Sequence, residues 1–495
     1  MPNILRGNRV KRSSRRANDF ISSIGFDSPI TKHVVSINMA HMLALARSKE
    51  VTAAVASASL DFLASVPADP QLDPSTEDVH HMLEQQAIRA IGMEKAGFMN
   101  FGKSRNDQVA TAIRMEARAR LLDLAAALVE VQASLLRQIG KHKTTVMPGY
   151  THLQHAQPIT LAHHLQSYFD ALERDVARLK DAYQRVNRSP MGAAALAGTS
   201  VKVDREYVAS LLGFDGLVEN AMDAVSSRDF ALESASAAAI AMVDLSRLAE
   251  ELVLWSSSEF GFIELGDEYS ATSSIMPQKK NPVVAETVRA KSGTVLGALT
   301  GMFAITKSLP NSYNLDLQEV TPHLWRVLDD AVGSATLMAE MLSTAKFNDG
   351  KLSSSLATDM STATELANYL VGKHGVPFRQ AHAIVGELVR SSVEDGQTLE
   401  QTASQQLEKV SKRVSGKAVK IDKDDLRGVL DALKTLRLIG SAGGSNPLSV
   451  SGLLLKDSKT VEQNRSWIGR SRSHLDRADE RLKKLVTTKE NEVRT

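Results

Sequence analysis

Residues 109–142 read VATAIRMEARARLLDLAAALVEVQASLLRQIGKH. Ile113, Leu121, Leu124, Leu128, Val131 and Leu135 recur mostly three or four apart, the period of a helix with one buried face. No proline or glycine interrupts the run before Gly140, so it predicts one helix of roughly 50 Å. The pattern returns at 161–186 through Leu165, Phe169, Leu172, Val176, Leu179 and Tyr183. It returns again over 228–258, rich in alanine, and over 283–309 and 322–345. Small residues such as Ala235, Ala238 and Ala239 let helices approach closely. Five such segments predict a mostly α protein whose centre is an elongated bundle of long helices. Their apolar faces are wider than one antiparallel neighbour covers, which predicts association of copies; a large all-α monomer is the alternative.

The flanks differ from this centre. Up to about residue 103, shorter helical patterns alternate with loops such as VPADPQLDPSTED at 66–78. Beyond about residue 353 the segments shorten: 363–373, a Gly-Val-Pro stop, then 378–394. A charged, polar stretch at 396–425 follows, and 465–495 reads as a charged helical tail. No internal repeat and no strand-rich region stands out. The expected division is an N-terminal helical domain at 1–105, the central bundle at 106–355 and a C-terminal helical domain at 356–495.

Composition bounds the partners. Hydrophobic residues make up 43% and charged residues 23% of the 495, as in ordinary soluble globular chains. A net charge of +2 argues for neither a nucleic-acid coat nor a membrane surface. The absence of cysteine excludes disulfides, thiolate metal sites and a cysteine nucleophile, and fits a reducing cytosol. No apolar run approaches the roughly 20 residues needed to span a bilayer. The segment RGNRVKRSSRR at 6–16 is basic, but no apolar region follows, so it is not a secretory signal. A solvated or substrate-facing segment is preferred there over a nucleic-acid-binding arm. The expectation is a cytoplasmic protein with a small-molecule partner, and neither nucleic acid nor membrane.

Three polar loops interrupt the helices. GKSRNDQV at 102–109 holds Ser104, Asn106 and Asp107, good helix caps, so a capping segment is one reading. Lys103 and Arg105 beside a helix N-terminus favour an anion site. MPGYTHLQHAQPIT at 147–160 places Thr151, His152, Gln154, His155 and Gln157 between prolines. No acidic or cysteine partner nearby supports a metal there; the histidines either exchange protons or are merely satisfied loop residues. TSSIMPQKKNP at 272–282 combines hydroxyls, two prolines and two adjacent lysines. Lys279, Lys280 and Asn281 suit a carboxylate, unless this is a surface loop with solvated lysines. Ser273 and Ser274 are poor bases unless an alkoxide is stabilised by ammonium groups or free backbone N–H groups. Glu286, five residues beyond Asn281, could orient a histidine.

Together these parts suit proton removal next to a carboxylate. That step needs a base, cations and amides for the dianionic intermediate, and an acid for the leaving group. The sequence holds no metal constellation, no dinucleotide fingerprint and no P-loop, so a cofactor-free elimination is the economical reading.

At these loops the chain resembles argininosuccinate lyase, in the superfamily that includes fumarase, aspartase and adenylosuccinate lyase. SSIMPQKKNP at 273–282 matches the superfamily signature GSSxMPxKxNP from the first serine onward, and QKKNP is the form typical of argininosuccinate lyases. SRNDQVAT at 104, MPGYTHLQHAQPIT at 147, GAAALAGTS at 192, SSRDFALE at 226, YNLDLQE at 313 and GGSNP at 443 extend the likeness over nearly the whole chain. The resemblance implies three helical domains and a homotetramer with a core of some twenty helices, each active site being shared by three subunits. It implies reversible, cofactor-free anti elimination of argininosuccinate to L-arginine and fumarate, the last step of arginine synthesis.

Roles carry over on matching motifs. Ser273 is similar to the base that takes the Cβ proton, on a loop that closes over substrate. Lys279 and Asn281 correspond to the groups holding the carboxylate that gains charge. Thr151 and His152 resemble the pair beside the leaving nitrogen, with Glu286 pairing to His152. Ser104, Arg105 and Asn106 match the substrate anchor, and His80 in EDVHHMLE matches the family's EDIHxxxE histidine. Tyr313, Gln318 and Arg228 would complete the pocket, with Gln278 and Ser274 from the signature loop. The alternatives are another fumarate-releasing lyase, such as adenylosuccinate lyase, and a recruited non-enzymatic helical protein.

Departures from the family pattern are also readable. Ala271-Thr272 stands where the family has Thr-Gly, which stiffens the loop's neck. A family lysine shortly after YNxDxQE is missing at Val320-Thr321, and Arg6, Arg9 or Lys11 is a candidate replacement. RGNRV replaces a GGRF-like turn, and Asn100-Phe101-Gly102-Lys103 replaces His-Thr-Gly-Arg.

Overall fold

The computed structural model describes residues 14–67, 69–357 and 360–488. Arg6, Arg9 and Lys11, and the charged tail beyond residue 488, lie outside the described residues. Nineteen α-helices account for most of what is described, with a few short strands.

Five long helices form the centre: α1 (Arg105–Lys141), α2 (Leu161–Val186), α3 (Asp229–Trp255), α4 (Val283–Thr306) and α5 (Val320–Thr344). These follow the periodic segments of the sequence within a few residues. α1 begins earlier than its apolar period because Ser104 and Asp107 form a capping box that starts the helix at Arg105.

Cross-helix contacts set the directions. The Arg114 Nη1 near the start of α1 donates to the Arg185 carbonyl at the end of α2 (2.9 Å), so these two run antiparallel. The Ser134 hydroxyl and the Gln138 amide donate to the carbonyls of Ala339 and Leu342, both 2.9 Å, so α1 and α5 run parallel. His164 at the start of α2 meets Glu251 at the end of α3. Arg289 at the start of α4 meets Glu250, so α4 runs back along α3. The bundle therefore has two ends, and every chain reversal lies at one or the other.

The 147–160 stretch, which the sequence suggested only as a loop, is a β-hairpin of β1 (Val146–Thr151) and β2 (Gln154–Thr160). Its two prolines, Pro148 and Pro158, face each other in the register, where missing N–H groups are tolerated on edge strands. The short β3 (Ile263–Glu264) pairs with β6 (Lys346–Phe347), and β4 (Ala271–Thr272) pairs with β5 (Lys280–Asn281).

A helix of 42 residues, Pro447–Thr488, lies along α1 and α2, fastened by Gln166–Asp457 (2.7 Å), Asn464–Glu173 (2.8 Å) and Arg465–Glu130 (2.8 Å). Residues 366–429 build a separate small core from Leu366, Leu370, Ile384, Leu388, Leu407 and Leu426. The polar 396–425 stretch is largely helical there: a Thr398–Gln401 capping box starts Leu399–Ser415, which buries Leu399, Ala403, Leu407 and Val410.

Candidate active site

The candidate residues gather at the two ends of the bundle. At the first end, Ser104 caps α1: its hydroxyl accepts from the Asn106 N–H (3.3 Å), and its own N–H donates to Asp107 Oδ1 (3.0 Å). The other Asp107 oxygen accepts from Gly192 (3.1 Å) and Ala194 (2.8 Å), and the Asn106 amide donates to the Ala195 carbonyl (3.1 Å). The SRND loop and the GAAALAG loop are thereby one structure. Gly192 is required there, because its φ is +84° and a Cβ would sit 2.6 Å from Arg205. Burial pushes the Asp107 carboxyl up to about 6, opposed by the N–H groups it accepts.

Arg105 reaches Asp78 (2.8 Å), the cap of the helix Val79–Ile91, and so lies beside His80 on that helix. His80 is buried; burial lowers it to about 4, with Asp78 opposing and Arg105 assisting. Arg228 is buried just before α3 and donates through Nη1 to the Ser227 carbonyl (2.8 Å). Its Nε and Nη2 are buried without hydrogen-bond partners. Burial lowers this guanidinium to about 10, and its field in turn pulls against the burial that raises the Tyr313 phenol. A cavity of about 330 Å³ opens against Arg228 between Asp223, Thr306 and Asn311. Gln318 donates to the Ile21 carbonyl (2.9 Å), closing the N-terminal segment over this end.

Sequence reasoning missed Asp27. It is buried, accepts from Ser23 Oγ (2.9 Å) and the Val79 N–H (3.0 Å), and lies near Asp78 and Arg105. Burial pushes its carboxyl up to about 7. A lone Asp in SSIGFD carries no local signal of this, since the enclosing groups lie some fifty residues away in sequence.

At the second end, β1 and β2 are joined by His152-Leu153 alone, with φ of +55° and +58°. That is the backbone of a type I′ turn, usually made by Asn-Gly, and here it presents Thr151 and His152 to solvent. Left-handed φ in two bulky residues is a strained arrangement, on the order of 1–3 kcal/mol each.

The signature loop is a flap on a two-residue neck. Ala271 pairs with Asn281 and Thr272 with Lys280. Above the neck the Ser273 N–H donates to the Lys279 carbonyl (3.3 Å). The Ser273 hydroxyl oxygen accepts two backbone N–H groups, from Ile275 (3.3 Å) and Met276 (3.1 Å). Lys280 is turned away to Asp267 (2.7 Å) and Glu264 (3.3 Å), while Ser274, Gln278 and Lys279 are exposed. Ile275 is 82% exposed at the tip. Glu286 stands exposed in the first turn of α4.

The structure thus brings together Ser104, Arg105, Asn106, His80, Arg228, Tyr313 and Gln318 at one end. It places Thr151, His152, Ser273, Ser274, Gln278, Lys279, Asn281 and Glu286 at the other. Among the described residues, His152 and Glu286 share no hydrogen bond or ion pair. The ends are kept apart by α4, whose 24 residues span about 36 Å. Among the described residues, no three or more of His, Cys, Asp and Glu gather in a way that could hold a metal ion.

Residues 9–297 match the family model described as lyase, and residues 360–436 match the argininosuccinate lyase C-terminal model. The argininosuccinate lyase of Methanothrix thermoacetophila is 44% identical over 483 residues, covering 97% of this chain and 98% of that protein. That of Methanocaldococcus jannaschii is 40% identical over 493 residues, covering 99% and 98%. Among solved structures, an EDDS lyase in complex with formate superposes with a TM-score of 0.89 at 29% identity, covering 99% of this chain and 98% of that one. A class II fumarase from Schistosoma mansoni shares the fold, with a TM-score of 0.68 at 15% identity over 82% of this chain and 91% of that one.

Proposed function

The chain belongs to the argininosuccinate lyase family, and on that premise we propose that it cleaves argininosuccinate reversibly to L-arginine and fumarate. It is a lyase, and in this reading it acts without a cofactor, in the cytoplasm, at the last step of arginine synthesis. Among the described residues no helix is long and apolar enough to cross a membrane. The domain division proposed with it is 1–105, 106–355 and 356–495.

The observation that carries the mechanism is the Ser273 hydroxyl accepting from the N–H groups of Ile275 and Met276. The same two donors stabilise the oxygen when it has lost its proton, which makes a serine competent as a base. In the proposed reaction Ser273 removes the Cβ proton. The charge passes into the neighbouring carboxylate, held by Lys279 and Asn281, with Gln278 and Ser274 alongside. The Cα–N bond then breaks anti to the departed proton. His152, oriented by Glu286 and aided by Thr151, serves the leaving guanidinium nitrogen. Ser104, Arg105 and Asn106 anchor the substrate with His80, Tyr313, Gln318 and Arg228.

This scheme needs both ends of the bundle at one place, which one chain cannot supply across about 36 Å. Antiparallel association of copies supplies it. Apolar side chains left outward support such packing: Ile240 and Val243 on α3, Leu296 and Phe303 on α4, Leu337 on α5. Gly293 and Gly297 on α4 have nothing within 4 Å of a notional Cβ, which leaves room for a partner helix. We therefore propose a homotetramer with sites shared between subunits.

The test is release of fumarate and arginine in equal amounts from argininosuccinate by the purified chain. EDDS is a second substrate to assay, favoured by the 29% identity and full-length superposition with the EDDS lyase. Release from EDDS or adenylosuccinate, with none from argininosuccinate, would overturn the proposal.

A further inference from the structure

One cation at the first end has no part in this scheme. Lys103 lies just before the Ser104 cap, and its Nζ donates to Asn38 Oδ1 on the helix Thr31–Arg47. Asn38 is itself fixed, its amide donating to the Val34 carbonyl (2.8 Å). One turn along the same helix, His41 Nε2 bonds the Phe101 carbonyl (2.8 Å). Between them Gly102 has φ +78°, and a Cβ there would sit 2.8 Å from Val201. Phe101 and Lys103 are thus pinned to one helix, with Gly102 packed against Val201 between them, and the next three residues are the proposed anchor. Among the described residues the Lys103 ammonium makes no ion pair. A lysine serving stability alone more often pairs with a carboxylate.

We propose that Lys103 is a positioning residue for the reaction: its partly buried ammonium, tied to Asn38, fixes Ser104–Asn106 and supplies positive field beneath the docked carboxylate. The inference rests on the reading of Ser104–Asn106 as the substrate anchor. The charged and titratable groups around the ammonium are His41 from the helix Thr31–Arg47, His80 and Glu84 from Val79–Ile91, and Asp107 from α1. Burial lowers Lys103 to about 7, with Asp107 and Glu84 opposing. The same enclosure lowers His41 to about 3, so that ring is neutral and does not compete for the role. The charge beneath the anchor is therefore lost as pH rises through the neutral range, and anion binding weakens with it.

The test is KM and kcat for fumarate release between pH 6 and pH 9 for the full-length protein and for Lys103→Arg, Lys103→Met and Asn106→Ala, with melting temperatures. The native protein is expected to show KM rising roughly tenfold across that range with kcat little changed. Lys103→Arg removes the rise, because arginine stays charged. Lys103→Met raises KM about tenfold at pH 6 without lowering the melting temperature, since a partly desolvated ammonium with no ion pair opposes folding. The proposal is overturned if Lys103→Arg keeps the native rise, or if Lys103→Met melts lower with native KM. Should Lys103→Met fail to fold, the Lys103→Arg profile decides alone. A native KM in Asn106→Ala beside an altered Lys103→Arg profile overturns the anchor role and leaves that of Lys103 standing.

Discussion

At Ser273, the proposed base, the loop supplies what a serine needs to hold a negative charge. Its oxygen is the acceptor for two N–H groups of its own loop, so the stabilising donors travel with it wherever the flap moves. In the proposed mechanism the proton is taken only in the transition state, so Ser273→Ala is expected to lower kcat by about a thousandfold with KM changed little, read by steady-state kinetics. Asp27 yields a stability prediction. Its folded pKa of about 7 lies above the ordinary 3.8, so the folded state holds a proton that the unfolded state releases. Its contribution therefore falls as pH rises from about 4 to about 7, after which the full cost of a buried carboxylate is present. Asp27→Asn keeps an acceptor and removes the charge. Its expected gain is about 1–3 kcal/mol at pH 8 and none near pH 4, checked by thermal melts at both. The unpacked flap that carries Ser273 and Lys279 was legible because a hydroxyl- and lysine-rich, proline-marked loop has no packing role. Asp27 was not, because burial raises its carboxyl, against the opposing Val79 N–H, and that burial is made by segments distant in the chain.

At the scale of elements, the flap and the hairpin do opposite things with backbone strain. The hairpin tip accepts left-handed φ at His152 and Leu153 to hold a histidine outward. The flap neck is relaxed: Thr272 is β-branched and suits a strand, and Lys280 is pulled to Asp267 and Glu264. Thr272→Gly is expected to loosen the neck by about 1 kcal/mol and to speed proteolysis within 273–279 several-fold, seen by limited digestion. Equal digestion rates would mean that Thr272 does not stiffen the flap. The five bundle helices were legible because a 3.6-residue period persists over 24 or more residues in each. The hairpin was hidden by its prolines, and the helix Leu399–Ser415 by a surface so polar that only Leu399, Ala403, Leu407 and Val410 mark its buried face.

Across the whole molecule, long straight helices carry the proposed binding groups and the proposed reacting groups to opposite ends. The sequence gives each group its motif, but the distance between them follows from helix length and direction, which only the cross-helix contacts reveal. The open face of α4 is where copies are expected to meet. Gly297→Glu places a charge on that face and is expected to yield a smaller species in sedimentation and to lose at least a hundredfold in activity. The most direct test of sites built from different chains is complementation. Ser273→Ala disables one end and Asn106→Ala the other, so each homo-oligomer has every site broken. Co-expressed and purified together, the two variants are predicted to recover about a quarter of native activity, since random mixing reunites two intact ends at that frequency. A mixture no more active than the two variants measured alone would contradict the account.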